Sequence, residues 1–304
     1  MYLIVSGSGR VGCAVARALL ADGKQVRMLA RTPAKLEELR RLGAEVMRGD
    51  LRDPASLARA CHAVENVLAT AHAIDGKGDN SSRQVDDLGN HHLIDAAHAE
   101  GVKQFVFISV LGARADHPVD FFRYKYGAED YLRRSAISHT VLRPAAFMET
   151  WAAMIGQPII DQGKTTIFGR GNNPINFVAE QDVVRFALIG LDRPEAINQT
   201  IEIGGPENLT LNQVAQLYEQ ILGVSAKRSH IPLAVLRAAS ALLQPFNPVA
   251  SRMMKLSVLM DTVDQTFDPS ETLRRYPMRL THLEDVVRSS VAAAGRMRPT
   301  GVGA

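Results

Sequence analysis

Short apolar runs and helically spaced apolar residues alternate through the first half of the chain. Residues 2–6 form an apolar run that stops at glycines. Val11, Ala14, Val15, Ala18 and Leu19 then recur at i, i+3, i+4 spacing, which puts them on one helical face, and Gly23 supplies the helix stop. Residues 26–29 predict a second strand. Thr32 and Pro33 predict an N-cap followed by proline at the first helical position, with Gly43 closing that helix. Three more strands are predicted at 45–47, 66–69 and 104–109, separated by helices at 54–62 and 82–100. A helix over 122–134 leads into a sixth strand at 137–142. Largely apolar strands alternating with helices predict an α/β fold, a Rossmann-type doubly wound parallel sheet covered on both faces.

Beyond Pro144 the pattern loosens. Strands are predicted at 165–168, 175–178 and 200–203, with a helix at 181–191. Thr210 and Gln213 form a capping-box signature that opens a helix through Leu222. Residues 232–294 read as helical and Met-rich, broken by Pro245 and Pro248. The domain expectation is a Rossmann domain over 1–145, with segments near 175–205 packing back on it. A smaller, mainly helical C-terminal region follows over 146–294, and residues 295–304 form a flexible tail.

Composition narrows the function classes. The chain has 304 residues, 46% hydrophobic and 22% charged, the balance of an ordinary globular protein, so disorder, collagen-like and coiled-coil designs are excluded. Its net charge of +3, from 35 basic and 32 acidic residues, reads as evenly mixed without a basic run. That argues against nucleic acid or a membrane surface as the main partner. Cys13 and Cys61 sit in no metal-binding spacing and suit a reducing compartment. The longest apolar segment, 231–243, contains Arg237 and is too short to span a bilayer. No signal-peptide pattern is present, and a cytoplasmic location is expected.

Candidate chemistry begins at Gly7-Ser8-Gly9-Arg10-Val11-Gly12, a GxGxxG placed directly after the first strand and opening the first helix. In that context the glycines permit a tight turn, close approach of a pyrophosphate and close helix packing, while the helix N-terminus offers N–H groups to phosphate. An NAD-selective site places an acid about 20 residues further on, but no acid occurs from Lys24 to Ala34. Arg31 ends the second strand and Lys35 follows one helical turn later, so the expected cofactor is NADP(H), with NAD(H) second. Asp50 and Leu51 after the third strand, and Ala69, Thr70 and Ala71 at the end of the fourth, are expected along the dinucleotide. The polar stretch 75–84 reads as a loop at the mouth of the site.

These residues carry a resemblance. The glycine loop, "VRMLARTPAK" from Val26, Gly49-Asp50-Leu51, "IDAAHAEGVKQFVFIS" from Ile94, "TVLRPAAFME" from Thr140 and Gly204-Gly205-Pro206-Glu207 follow one another in family order. The chain resembles the NmrA-like branch of the atypical, extended short-chain dehydrogenase/reductase superfamily over roughly its first 220 residues. The resemblance implies a Ser-Tyr-Lys active site in which Lys lowers the Tyr pKa and Tyr gives a proton to the substrate carbonyl. Ser109 and Lys125 occupy the matching places, but the tyrosine position is Phe121, which has no proton to give. Lys125 then either anchors the nicotinamide ribose or relays the proton itself, as in relatives of the isoflavone-reductase type. Ser109, Lys125 and Pro144 are expected on the cofactor, and His72 and His117 are further candidates near the mouth. Phe147, Met148 and Trp151, with Met154, Met253, Met254 and Met260, are expected at an apolar substrate pocket.

The leading expectation is an NADPH-dependent reductase of a quinone, azo or conjugated small molecule, acceptors whose reduced products need little proton assistance. Two alternatives stay open: a non-catalytic NADP(H) redox sensor acting on a regulated protein partner, and an assembly subunit that docks through 231–243 on a protein or membrane surface. No nucleic-acid partner and no metal are expected.

Overall fold

The computed structural model describes residues 1–5 and 9–295. In the first half, strands β1 (Tyr2–Val5), β2 (Val26–Ala30), β3 (Glu45–Arg48), β4 (Asn66–Ala69), β5 (Gln104–Ile108) and β6 (His139–Pro144) alternate with helices. Those helices are α1 (Arg10–Ala21), α2 (Glu37–Arg41), α3 (Pro54–Cys61), α4 (Asn90–Ala99) and α5 (Asp120–Arg134). The second half contains strands β7 (Ala146–Phe147), β8 (Lys164–Phe168), β9 (Ile175–Val178), β10 (Gln199–Ile203), β11 (Asn208–Leu209) and β12 (Lys227–Ile231). Its helices are α6 (Met148–Gln162), α7 (Glu180–Asp192), α8 (Leu211–Leu222), α9 (Leu233–Leu243), α10 (Pro248–Thr262), α11 (Ser270–Arg275) and α12 (Leu283–Ala293).

The chain divides into two compact units, one of residues 1–144 and 181–203, the other of 145–180 and 204–304. In the first, seven strands form one sheet in the order β10-β6-β5-β4-β1-β2-β3, every pair parallel. Side chains of β2 and β5 are buried throughout, as a sheet covered on both faces requires. Buried Gln104 donates through Nε2 to Thr140 Oγ1 at 2.9 Å and to the Gly190 carbonyl at 2.8 Å, fastening β5, β6 and α7 together.

The second unit holds a three-stranded sheet, β11-β9-β7, and the parallel pair β12-β8. Its helices pack closely where side chains are small: Gly156 on α6 lies under the ring of Tyr218 on α8, which is buried. Thr210 caps α8 in a capping box with Gln213, as its sequence predicts.

Three local expectations are corrected. The segment after β2 is not one capped helix: Thr32 makes no capping hydrogen bond, and a 3-10 turn (Pro33–Leu36) precedes the five-residue α2. The helix predicted over 82–100 begins as a π-helix (Arg83–Gly89), a wider winding that brings buried Asp86 and Asn90 inward. Strands β7, β11 and β12 were not foreseen. Two are only two residues long, and β12 has no apolar alternation because most of it is exposed.

Candidate functional site

The strand order of the first unit reverses between β1 and β4, since the chain builds outward through β2 and β3 on one side and through β5 and β6 on the other. Open α/β sheets bind ligands beyond the strand C-termini at such a switch point. There a groove of about 340 Å³ opens, with Val5 and Gly9 at the β1–α1 junction and Ala30, Arg31, Thr32 and Lys35 after β2. Gly49, Asp50 and Leu51 after β3, Thr70, Ala71 and His72 after β4, and Asn80 complete most of its wall. The structure therefore gathers Gly9, Arg31, Lys35, Asp50, Leu51, Thr70 and Ala71, predicted separately, along one groove. Gly7 and Ser8 lie outside the described residues. Arg10 and Val11 open α1, Gly12 is buried on its inner face, and Ala69 is the buried last residue of β4.

The charge around this groove is arranged by pairing. Arg31 donates through Nη1 to Asn80 Oδ1 at 2.5 Å. Arg52 holds Asp50 with two parallel hydrogen bonds, Nε to Oδ1 at 2.9 Å and Nη2 to Oδ2 at 2.5 Å. That guanidinium keeps the Asp50 carboxyl below the usual carboxylate range. Arg52 Nη1 also donates to the Asp79 carbonyl at 2.9 Å. Two arginines at the ends of β2 and β3 thus tie down the 75–84 loop, contacts the sequence did not reveal. Helix α1 has no side-chain cap at Gly9 and no acid in its first turn, so its own first turn sets no negative charge against the positive end of its dipole.

Lys125 lies beneath the groove and is almost fully buried. Its Nζ ion-pairs with Asp86 Oδ1 at 3.2 Å and donates to the carbonyls of Ala71 at 3.3 Å and Ile108 at 3.2 Å. Two of the three ammonium donors thus go to carbonyls, while the Asp86 contact is an ion pair without hydrogen-bond geometry that leaves buried Asp86 Oδ1 with no hydrogen-bond partner among the described residues. Asp86, also buried, accepts from the Ala73 N–H at 3.0 Å and from Ser82 Oγ at 2.8 Å through its other oxygen. Phe121 stands 5.8 Å from Nζ at its ring centroid, where the tyrosine of the pattern would be. Ser109 is engaged too, donating through Oγ to buried Glu129, which also accepts from Arg143 (Nη2 at 2.6 Å) and Arg133 (Nη2 at 2.6 Å). Asp86 and Glu129, the groups that commit the two expected site residues, were missed. Each meets its partner only through the fold.

His72 is a further titratable residue on the groove wall, exposed as a residue although protein surrounds it on most sides. Desolvation, and then the nearby Lys125 ammonium, push its pKa below the ordinary 6.5, against the opposing charges of Asp86 and Asp75. The imidazole is therefore neutral at pH 7. His117 lies elsewhere: buried, stacked on Phe122 at 4.0 Å, and accepting the Val119 N–H at Nδ1.

Pro144 ends β6 as a buried residue whose carbonyl accepts the Leu111 N–H at 2.9 Å. In the second unit Phe147 is partly buried on β7 and Met148 is buried at the start of α6. Trp151, Met154 and Met260 border a cavity of about 10 Å³, room for one water. Among the described residues no cluster of metal-binding side chains occurs, and no helix is long and apolar enough to cross a membrane.

Comparison with known proteins adds the following. The model of the NmrA-like family matches residues 2–287. The photosystem II assembly factor Ycf39 of Trieres chinensis is 30% identical over 289 residues, covering 93% of this chain and 90% of that protein. An NAD(P)H azoreductase of Xenophilus azovorans is 28% identical over 215 residues, 71% of each. Among solved structures, an Escherichia coli NADPH-dependent quinone oxidoreductase in complex with NADPH superimposes with a TM-score of 0.78 at 23% identity, covering 95% of this chain and 99% of that one. Citrobacter triphenylmethane reductase in complex with NADP(H) gives 0.78 at 18%, covering 95% and 100%. These likenesses establish the fold.

Proposed function

The chain belongs to the NmrA-like family, and from that premise we propose that it binds NADP(H) in the groove of its first unit and reduces a small quinone, azo or conjugated acceptor. The observation that carries this reading is the end of β2. Arg31, Thr32 and Lys35 line the groove where an NAD-selective site would place an acid, and the neighbouring carboxylate, Asp50, is neutralised by Arg52. The residues fit the cofactor. The uncapped start of α1 suits a pyrophosphate, Arg31 and Lys35 suit a 2′-phosphate, and Asp50, after β3 on the same wall, would face the adenine. The azoreductase and quinone oxidoreductase relatives support the acceptor class.

NADPH, when bound, supplies the hydride. Phe121 gives no proton, Ser109 must release Glu129 before its hydroxyl can serve chemistry, and Lys125 is buried against the Asp86 carboxylate. The neutral His72 imidazole on the groove wall is the available N–H donor beside the reacting region. Acceptors whose reduced forms are stabilised anions suit such a site, since they need little proton transfer in the transition state.

The test is calorimetric titration with NADPH and NADH, followed by NADPH oxidation against a panel of quinones and azo dyes. NADPH is expected to bind at least about tenfold tighter and to be consumed with some member of the panel. A second reading, a non-catalytic NADP(H)-binding assembly or sensor protein, is favoured by the committed state of Ser109 and Lys125 and by the Ycf39 relatives. Tight NADPH binding without consumption selects it.

A further inference from the structure

The second unit carries an exposed apolar ridge that its own packing does not use. Of the eleven residues of α9, only Leu236 and Ser240 are buried. Val235 is 53% exposed, Leu242 73% and Phe246, in the turn to α10, 86%. Val235, Ala238 and Leu242 recur at helical spacing on one stripe that runs toward Phe246.

This ridge is built and fixed in place. Ser240 and Ser251 are buried between α9 and α10, where Ser251 Oγ donates to the Ser240 carbonyl at 2.8 Å, so two small residues let the helices approach closely. The turn is held by N–H donation from Phe246 and Asn247 to the Leu243 carbonyl, at 3.0 and 2.7 Å. Asn247 caps α10 by accepting the Ala250 N–H at 3.1 Å, and Pro248 follows at the first helical position. Phe246 is therefore presented at the tip of a rigid hairpin.

Along the sequence that builds the hairpin, the charge has one sign. Between Glu219 and Asp261 the sequence contains no acidic residue, and of the five basic ones Arg252 is buried and Arg228 is paired with Glu219, which leaves Lys227, Arg237 and Lys255 as the basic residues of this stretch at the surface. The two flanking acids are spent elsewhere, Glu219 on Arg228 and Asp261 on Arg170. Asp261 also lies at the far end of α10, about 20 Å along the axis from the turn. Lys255 reaches the turn itself, where its Nζ donates to Gln244 Oε1 at 2.9 Å, a neutral partner that leaves its charge uncompensated. Charges that look evenly mixed over the whole chain are thus segregated here, because the signal is a missing sign and not a basic run.

We propose that the α9–α10 hairpin docks on an anionic lipid surface, with Leu242 and Phe246 entering the headgroup layer and Arg237 and Lys255 facing lipid phosphates. A protruding tip with aromatic and aliphatic residues, on a hairpin whose sequence carries basic residues and no acid between Glu219 and Asp261, matches interfacial binding, which needs no shaped receptor. A second copy of the chain is a poorer occupant. Two-fold pairing through this patch would bring its basic residues, Arg237 and Lys255, together across the interface with no acid of the hairpin to meet them.

The test is flotation of the full chain with phosphatidylglycerol-containing vesicles and with neutral phosphatidylcholine vesicles, at low and high salt. Binding to the anionic vesicles is expected, falling about tenfold in high salt as the phosphate contacts are screened. Phe246→Glu and Arg237→Glu are each expected to lose it while keeping the circular-dichroism spectrum and cooperative thermal unfolding of the parent chain, the control for correct folding. Absence of binding to anionic vesicles, equal binding to neutral ones, or unchanged binding of both variants overturns the proposal. A wild-type dimer that Phe246→Glu dissociates assigns the ridge to a second copy, and an acidic protein captured by the ridge in place of lipid assigns it there; either result also overturns it.

Discussion

Arg31 is where one side chain bears most directly on cofactor choice. Arg31→Asp is expected to weaken NADPH by at least tenfold, about 1.4 kcal/mol, and NADH far less, as calorimetry of both cofactors would show; equal losses would sink the basic-cluster reading. Asp86 governs the interior. Asp86→Asn leaves the buried Lys125 charge without its counter-charge and is expected to cost about 3–5 kcal/mol in urea unfolding. The double variant Asp86→Asn/Lys125→Met should recover part of that, since it removes the stranded charge as well. His72 reports the same cluster. Its folded pKa lies below 6.5, so its contribution to stability is full above about pH 6.5 and is lost as pH falls toward the folded value. By NMR titration, Lys125→Met should raise the His72 pKa and Asp86→Asn should lower it. Arg31 and Lys35 were legible in the sequence because the dinucleotide rule fixes where a charge must sit relative to β2. Asp86 and Glu129 were not, because local spacing says nothing of which distant helix a carboxylate will meet.

At the scale of elements, two helical glycines separate propensity from packing. A Cβ on Gly127 in α5 would meet only Asp87 Oδ1, at 3.4 Å, so Gly127→Ala should stabilise by about 0.5–1 kcal/mol through the helix preference for alanine. A Cβ on Gly156 would fall 2.0 Å from the ring of Tyr218, and that ring is buried. There the clash outweighs the propensity gain, and Gly156→Ala is expected to destabilise by about 1–3 kcal/mol. Chemical denaturation of the two variants should give opposite signs. Elements with strong periodicity or explicit caps, such as α1, β5 and the Thr210 box, were readable because their signals are local. The π-helical start before α4 and the 3-10 turn before α2 were not. A pattern of apolar positions cannot tell one helical winding from another when the choice is made by burying Asp86 and Asn90.

For the molecule as a whole, the parallel sheet was legible because six short, mostly apolar strands separated by helices leave few other arrangements, whereas the seventh, β10, follows a looser pattern. The small sheets of the second unit were hidden, since strands of two residues carry no period. What the sheet order adds is the switch point between β1 and β4, and with it a thermodynamic expectation. A ligand that binds only the folded first unit stabilises it by RT ln(1 + [L]/Kd), about 2.7 kcal/mol at a hundred times Kd. For a unit of this size that corresponds to a rise in Tm of roughly 5–11 °C. NADPH at that concentration should produce the rise by scanning calorimetry, and NADH at the same concentration should produce much less, because its ribose offers Arg31 and Lys35 no phosphate. Equal shifts would mean that the groove reads only the shared part of the two cofactors, so that Arg31 belongs to the Asn80 loop and not to the ligand. No shift with either would mean that the groove, despite its position at the switch point, is not a dinucleotide site, and the assembly reading would then have to stand without a cofactor.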